Sequence, residues 1–292
     1  MASLLGIGKT TANTIAELDY GGNNRTYLGM SQIGEECSAK LWLGFHWANF
    51  GKKHSAKMER TFEIGHEFEK IIIKQLKDAG MEVFRVLEDG TEVEHFGYKD
   101  EEQEEFIGGF GHAKGHNDGR IRGVIEAPKT DHLLEIKTMK EEYFKKLVKQ
   151  GLKKYHPIYY AQTQRYMREM KLTRTLFIAL NKNTSELHIE RIEFDKGFAE
   201  DLVRKEQSII MSDAMPERAY EEGFYKCGFC DQAGVCRGIN NPSVTCRTCD
   251  FVDIEMDGVW SCQKQKGKNL TPEEQRKACD KYQLGWNIEN VE

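Results

Sequence analysis

Two acidic residues and a lysine stand at a spacing that suits chemistry on a phosphate ester. Asp118 precedes a glycine, and seventeen positions after it begins the tripeptide Glu135-Ile136-Lys137. Alternate residues of a β-strand face the same side, so one strand would present Glu135 and Lys137 together. Hard cations such as Mg²⁺ prefer oxygen ligands, and a bound cation polarises a phosphodiester and activates water. The pattern predicts a metal held by Asp118, Glu135 and the carbonyl of Ile136. Lys137 would stabilise charge on the phosphate.

The residues around this tripeptide indicate that it is buried. Leu133, Leu134 and Ile136 make the segment apolar, and buried charges need a partner or a metal. A lysine near a metal in an apolar strand can have a lowered pKa, and helping to deprotonate water is the alternative role of Lys137. Two alternatives stay open: an ion pair of the acids with Lys137 or Arg120, and an acid and a lysine on a solvated strand face.

Seven of the eight cysteines lie in the last 66 residues. In a reducing cytoplasm such clustering indicates metal binding rather than disulfides. The spacing Cys227-x2-Cys230-x5-Cys236 supplies three ligands, and Cys37, the one cysteine far away in sequence, is the candidate for the fourth. The alternatives are unpaired structural thiols or a disulfide staple.

A second cysteine set supplies four ligands by itself. Its spacing is Cys246-x2-Cys249-x12-Cys262-x16-Cys279. Thiolates suit both zinc and iron–sulfur clusters, and a tetrahedral zinc site tolerates this spacing. The residues themselves leave open which metal each set holds.

Composition is typical of a soluble protein. The chain has 292 residues, of which 39% are apolar and 30% charged, and its mean hydropathy is -0.64. No apolar run approaches the roughly 18 residues of a membrane helix, and the N-terminus lacks a signal-peptide pattern, so we expect a cytoplasmic protein without membrane contact. The net charge is -5, and residues 100–105 contain five acids, which we interpret as a solvated loop.

Hydrophobic periodicity predicts alternating helices and strands. Phe68, Ile72 and Leu76 recur at a helical spacing of four before Gly80, and Pro157 suits a helix start. This order of elements predicts an α/β fold with a mixed sheet flanked by helices. Helices are predicted over 31–50, 57–79, 141–151, 157–171 and 196–213, and strands over 81–86, 119–126, 132–138, 175–180 and 186–194.

Further residues extend the constellation to a known family. His66 lies in a predicted helix before the strands, and Gln162 and Tyr166 stand four apart in a later one. Together with Asp118 and Glu135-Ile136-Lys137, they resemble the RecB-like branch of the PD-(D/E)XK nuclease superfamily. The resemblance implies a restriction-endonuclease-like fold, His66 as a further metal ligand, and Gln162 and Tyr166 positioning the scissile strand. A core histidine is the alternative for His66, with Glu67 or Glu69 as the acid, and Tyr166 could belong to the core.

The first cysteine set also fits this family. Its iron–sulfur members take one cysteine from near the start and three from a CxxC-x5-C motif after the core, as Cys37, Cys227, Cys230 and Cys236 would supply. The resemblance covers about residues 30–238 and implies a 4Fe–4S cluster there, leaving zinc for the second set. The chain departs from the family pattern at one position. The family motif has a proline directly before the aspartate, and this chain has Asn117 there. The predicted organisation is an arm over 1–30, a nuclease domain over 31–240 and a four-cysteine zinc-type module over 241–292.

These features predict a deoxyribonuclease dependent on Mg²⁺ or Mn²⁺. We expect an exonuclease acting on single-stranded ends in recombination or repair. The alternatives are an endonuclease for CRISPR adaptation or restriction, and a catalytically inactive DNA-binding module. No P-loop motif occurs, so any unwinding would come from a separate helicase or recombination protein. Between Lys140 and Lys154 six lysines stand against two glutamates; a solvated helix face is the alternative to DNA contact. The candidate DNA-binding residues are Lys145, Lys146, Lys149, Lys153, Lys154 and Tyr159.

Overall fold

The computed structural model describes residues 10–20, 25–51, 53–97 and 104–286. The helices are α1 (Thr11–Ala16), α2 (Ser38–Phe45), α3 (Ala56–Asp78), α4 (Glu141–Gln150), α5 (Leu152–Tyr155), α6 (Pro157–Met170), α7 (Lys196–Met211), α8 (Ala233–Cys236) and α9 (Pro272–Arg276). The strands are β1 (Asp19–Tyr20), β2 (Leu28–Gly29), β3 (His54–Ser55), β4 (Glu82–Val86), β5 (Glu92–Glu94), β6 (Glu105–Gly108), β7 (Ala113–His116), β8 (Arg120–Arg122), β9 (His132–Met139), β10 (Arg174–Asn181), β11 (Leu187–Glu193), β12 (Val252–Ile254), β13 (Trp260–Cys262) and β14 (Lys268–Asn269).

A mixed six-stranded sheet in the order β11-β10-β9-β8-β4-β5 forms the centre of the fold. Strands β9 and β10 run parallel, with Glu135 opposite Phe177 and Lys137 opposite Ala179. The other described neighbours in this sheet are antiparallel. A parallel pair needs a crossover connection, and α4, α5 and α6 supply it. The predicted mixed sheet flanked by helices is confirmed.

The two faces of β9 belong to different layers. Leu134 and Ile136 pack in one apolar cluster with Ile73 of α3. Leu133 and Met139 belong to the other cluster, which contains Met167 of α6. Because side chains alternate along a strand, Glu135 and Lys137 share the face that looks toward α6. The charged residues of β9 therefore lie in the layer between the sheet and α6.

The C-terminal segment shares its apolar core with the rest of the chain. Trp260 of β13 is fully buried and belongs to the same cluster as Trp42 and Phe45 of α2. Backbone bonds join the segment to earlier residues, from Gly258 N–H to the Phe110 carbonyl and from Ser243 N–H to the Ala48 carbonyl, both at 2.9 Å. The strands β12, β13 and β14 form a small antiparallel sheet within the segment.

Two elements differ from their sequence prediction. The helix predicted over 31–50 is a 3-10 turn at Met30–Gln32 followed by α2. Gly34 lies between them, where a Cβ would come within 2.8 Å of the Ile158 backbone, so close packing on α6 replaces a continuous helix. The strand predicted over 119–126 ends at Arg122, because Gly123 has a φ of 85°.

The acidic run over 100–105 differs too: residues 100–103 lie outside the described ranges, but Glu104 is not solvated. Its carboxylate pairs with Arg120 at 2.5 Å, and both side chains are mostly buried. No helix in the described part of the chain is both long and apolar enough to cross a membrane.

Candidate active site

A tight turn before β8 aims Asp118 at β9. Gly119 has a φ of 117°, which favours glycine, and its N–H donates to Asn117 Oδ1 at 2.9 Å. The Asp118 carboxylate then accepts the backbone N–H of Ile136 at 2.8 Å. The structure thus brings Asp118 to the strand that carries Glu135, as the spacing predicted. The Ile136 amide makes this contact, and its predicted role as a carbonyl ligand stays a prediction.

Glu135 is fully buried, and its two carboxylate oxygens have different surroundings. Oε1 accepts a hydrogen bond from Gln162 Nε2 at 2.6 Å and pairs with the Lys137 ammonium. Oε2 is buried and has no hydrogen-bond partner within the described residues. Burial raises the pKa of Glu135 to about 7; Lys137 opposes the rise and Asp118 adds to it. A buried carboxylate oxygen left unsatisfied calls for an explanation, and a bound cation supplies one.

The Lys137 ammonium is held between carboxylates. Burial by itself lowers its pKa, but the charges of Glu135 and Asp118 outweigh burial, so the pKa is raised. The two acids facing the amine thus hold it in its charged form, and the lowered pKa expected beside a bound metal stays a prediction.

Helix α6 presents Tyr159, Gln162 and Tyr166 on one face, at helical spacings of three and four. Gln162 orients Glu135 directly. Tyr166 is 2% exposed, and its hydroxyl is hydrogen-bonded to the His116 backbone. Burial raises the pKa of Tyr166, and the Glu135 charge adds to the rise. Such burial favours a packing role for Tyr166, and contact of Gln162 and Tyr166 with a scissile strand stays a prediction.

A buried ion pair fixes α6 against α7. The Arg165 guanidinium donates to both carboxylate oxygens of Glu206, at 3.1 and 2.9 Å, and both side chains are almost fully buried. Removing one partner of such a pair costs about 3–5 kcal/mol, because the other charge is left buried alone. This pair thus links the helix that orients Glu135 to α7.

Close packing beside Tyr166 makes Gly115 a sensitive position. A Cβ there would lie 2.5 Å from Tyr166 Cε1 and 3.2 Å from Met30 Sδ. We expect Gly115→Ala to lower the free energy of unfolding by about 1–3 kcal/mol through overpacking, measured by urea denaturation. Gly44→Ala is the matched control, because Gly44 lies inside α2 with nothing within 4 Å of its Cβ position. It should stabilise the protein slightly, and equal effects of the two changes would contradict the packing argument.

His66 lies on α3. It follows Gly65, where an added Cβ would lie 3.9 Å from Thr138 Oγ1 at the end of β9. Glu67 is exposed and pairs with Lys70 at 2.6 Å, whereas Glu69 is buried. No third His, Cys, Asp or Glu side chain of the described ranges joins Asp118 and Glu135 in a group arranged to hold a metal ion. The role of His66 as a ligand stays a prediction.

Four cysteines of the C-terminal segment surround one small space. Cys246, Cys249, Cys262 and Cys279 line a cavity of about 20 Å³, slightly more than the ~10–15 Å³ that one water needs. Burial raises the pKa of Cys246 to about 11, and the three other thiols add to the rise. As they are placed, no three of the described cysteines form a group arranged to hold a metal ion. The four thiols line one small space, but they are not arranged as the ligands of a bound ion.

The other cysteine set joins distant parts of the chain. Cys37 directly precedes α2, and Cys37 and Cys236 both pack against the main core. Burial raises the pKa of Cys230, and Cys37 adds to the rise, so these two thiols are near each other. Next to Cys37, Glu36 accepts from the Tyr220 hydroxyl at 2.5 Å and the Lys226 ammonium at 3.0 Å. Residues 36–37 and 220–236 therefore meet in space. Their binding of a cluster stays a prediction.

Tyr159 is the candidate DNA-binding residue that the structure brings to the site. Its ring centroid lies 5.5 Å from Lys137 Nζ. His156 stacks on Tyr159 with ring centroids 4.5 Å apart and an angle of 17°. The sequence interpretation missed His156, although its position three residues before Tyr159 next to a helix start was a usable signal. The two stacked rings lie beside the Lys137 ammonium.

The candidate lysines lie on the exposed faces of α4 and α5. Lys145 pairs with Glu141 and Lys146 with Glu142, both at 2.6 Å and at i,i+4 spacing. Lys153 lies 3.8 Å from Asp195. Part of the local positive charge is thus neutralised within the helix, which favours the solvated-face alternative for Lys145 and Lys146. Lys149 and Lys154 are exposed as well.

Comparisons with known proteins give distant structural likenesses. No protein-family model and no curated protein matches the chain. Similar solved structures include LHK-Exo in complex with dAMP, at 17% identity and a TM-score of 0.43, covering 64% of this chain and 87% of that one. An alkaline exonuclease (LHK-Exo) from Laribacter hongkongensis has 17% identity, a TM-score of 0.42 and coverages of 63% and 86%. SSO0001 has 13% identity, a TM-score of 0.42 and coverages of 81% and 96%. Likenesses this distant carry no activity over to this chain, so the side chains of the site alone bear on its function.

Proposed function

We propose that the protein is a metal-dependent deoxyribonuclease of the RecB-like PD-(D/E)XK type. The observation that carries this proposal is the Glu135 carboxylate. One of its oxygens is satisfied by Gln162 and Lys137, and the other is buried without a described partner. Asp118 is held beside it through the Ile136 amide. Two carboxylates and a fixed lysine cation in one buried position suit hydrolysis of an anionic ester more than they suit structural support.

Within this proposal each side chain has a stated role. Asp118 and Glu135 would hold Mg²⁺ or Mn²⁺, with the Ile136 carbonyl and His66 as further ligands. A cation bound there polarises the phosphate and lowers the pKa of a bound water. Lys137 stabilises negative charge on the phosphate, and Gln162 keeps the Glu135 carboxylate in one orientation. An N–H···O bond to a buried carboxylate is strong enough to fix it.

The aromatic surface favours an unpaired strand as the substrate. His156 and Tyr159 offer stacked rings beside Lys137, and aromatic side chains stack on unpaired bases. We therefore propose hydrolysis from single-stranded ends, in recombination or repair, with unwinding supplied by a separate partner. Cleavage within the strand, as in CRISPR adaptation or restriction, is the second candidate. A purely binding module is disfavoured, because acids beside a phosphate weaken binding.

A digestion assay tests the proposed activity. Linear and circular single-stranded DNA and linear duplex DNA are incubated with Mg²⁺, Mn²⁺ or a chelator. We expect linear single strands to be degraded with either metal, circular strands to persist, and the chelator to stop all cleavage. Cleavage of circular strands would favour the endonuclease candidate. Failure to cut any DNA with either metal would contradict the proposed function.

We also propose a metal for each cysteine set. Zinc at Cys246, Cys249, Cys262 and Cys279 is supported by four thiols around one space of about 20 Å³. A 4Fe–4S cluster on the other set is supported by the approach of Cys37 to Cys230 across the chain. Both centres suit the reducing cytoplasm that we propose as the location. The zinc would link parts of the C-terminal segment to one another. The cluster would link the C-terminal half of the chain to Cys37, directly before α2. The set proposed to hold the iron–sulfur cluster consists of Cys37, Cys227, Cys230 and Cys236.

A further inference from the structure

A cavity of about 260 Å³ lies between the N-terminal segment, β7 and the C-terminal segment. Its described lining contains two cations, Lys114 and Arg247, and no acidic residue. The rings of Tyr27 and Trp260 form part of its wall, and Asn269 adds a polar side chain. The protein as a whole has a net charge of -5. A cavity lined by two cations and no acid is therefore more positive than the average surface of this protein.

The Arg247 charge in this cavity is not neutralised. Its side chain is 1% exposed, and its N–H groups donate to neutral acceptors, the Phe45 carbonyl at 2.9 Å, the Thr26 carbonyl at 2.7 Å and Gln275 Oε1 at 2.9 Å. Its guanidinium carbon lies 4.4 Å from the centre of the Trp260 ring. Within the described residues no carboxylate pairs with it. An arginine guanidinium stays charged at neutral pH.

A second wall residue has an unused donor. Trp260 is 1% exposed, and its indole Nε1 has no acceptor within the described ranges. A buried N–H without an acceptor is destabilising. Lys114 is the more accessible cation, and it pairs with Glu105 at 2.7 Å at the outer edge. The lining therefore includes one buried, uncompensated charge and one residue with an unsatisfied N–H.

The cavity connects to the candidate active site along one strand. Lys114 lies on β7, and Asp118 follows four residues later, at most about 13 Å of extended chain. The Tyr27 hydroxyl lies 3.5 Å from His116 Nε2, and the His116 backbone is bonded to Tyr166. Tyr27, which lines the cavity, thus contacts a residue two positions before Asp118.

We propose that this cavity binds the phosphate of a nucleotide, with Lys114 and Arg247 attracting the charge, Trp260 Nε1 donating to it and the Tyr27 ring contacting the base. Its occupant is either a nucleotide of the substrate strand or a free mononucleotide. This inference rests on the proposed function for its DNA source, whereas binding of a mononucleotide does not require cleavage.

Two variants test the cavity without touching the acidic centre. Lys114→Gln removes a cation that is partly exposed, and Trp260→Phe removes the indole N–H while keeping an aromatic ring. Lys277→Gln is the matched control, because Lys277 is exposed and pairs with Glu273 outside the cavity. Folding of each variant is checked by its melting temperature without ligand.

Two ligands distinguish the sources, and both are measured with a chelator present so that no strand is cut. The first readout is the rise in melting temperature with deoxynucleoside monophosphate, with the unphosphorylated nucleoside as reference. The second is the Kd of a single-stranded oligonucleotide over a range of salt concentrations. We expect both cavity variants to lose the monophosphate-dependent rise. We expect Lys114→Gln to weaken oligonucleotide binding about tenfold and to reduce the salt slope by about one.

Each outcome decides the proposal. A loss confined to the monophosphate identifies a free nucleotide as the occupant, and a loss that includes the oligonucleotide identifies the strand. If the cavity variants match wild type and Lys277→Gln in both readouts, the cavity proposal is overturned, while cleavage of linear DNA by the wild type would leave the proposed function intact. Conversely, a protein that cuts no DNA but shows the monophosphate effect would keep the cavity and lose the nuclease.

Discussion

Replacing Lys137 with methionine is expected to reduce DNA cleavage by about a hundredfold or more, because one fixed charge on a developing oxyanion is worth that much. The ammonium contacts Glu135 and sits 5.5 Å from the Tyr159 ring, so no other described side chain takes the same place. DNA binding should persist, since the exposed lysines are unchanged. Initial rates on end-labelled single strands measure cleavage, and a gel-shift assay in chelator measures binding.

The same substitution should lower the free energy of unfolding. Without Lys137 the buried Glu135 carboxylate has Gln162 alone, and an uncompensated buried charge costs about 3–5 kcal/mol. The double variant Glu135→Gln with Lys137→Met removes both charges and should recover most of this loss while remaining inactive. Lys140→Ala, at an exposed position just beyond β9, is the matched control and should keep both activity and stability. Wild-type rates in Lys137→Met would exclude the assigned site.

Serine substitutions in the two cysteine sets are expected to remove different metals. Cys262→Ser should abolish bound zinc and leave iron, whereas Cys230→Ser should abolish iron and the brown colour of the cluster and leave zinc. Each variant is thereby the control for the other, and elemental analysis of purified protein measures both metals. Structural zinc contributes directly to folding free energy, so Cys262→Ser should also make residues 241–286 sensitive to protease.

Four results would contradict these assignments. Protein free of both metals when purified without chelator would exclude both centres. Zinc in both sets would exclude the cluster, and loss of both metals in either single variant would show that the two sets are one cooperative unit rather than separate centres. Near-native iron in Cys230→Ser would exclude Cys230 as a ligand.

Much of the fold could be predicted because its signals are local. The apolar spacing of α3 and the alternation of β9 follow from the geometry of single elements, and most predicted boundaries lie within a few residues of the observed ones. The meeting of Asp118, Glu135 and Gln162 was predictable in outline, since strand alternation and helix spacing decide which side chains share a face.

Features that depend on distant partners could not be predicted in this way. The raised pKa of Lys137 requires two acids placed by different elements. The pairing of Glu104 with Arg120 turns a residue of an acidic run into part of the support for β8. Arg247 gave no signal in its own neighbourhood, because its acceptors lie 202 and 221 residues earlier in the chain.

The insertion of Arg247 between the rings of Trp47 and Trp260 has a consequence for biosynthesis. At a translation rate of about 5–20 residues per second, the ribosome completes Phe45 roughly 10–40 s before it delivers the arginine that caps its carbonyl. During that interval the apolar side of α2 lacks the C-terminal residues that bury it in the folded protein. A chain stopped at residue 240 would keep that surface open, so the nascent polypeptide can be expected to depend on chaperones, and shortened versions to aggregate.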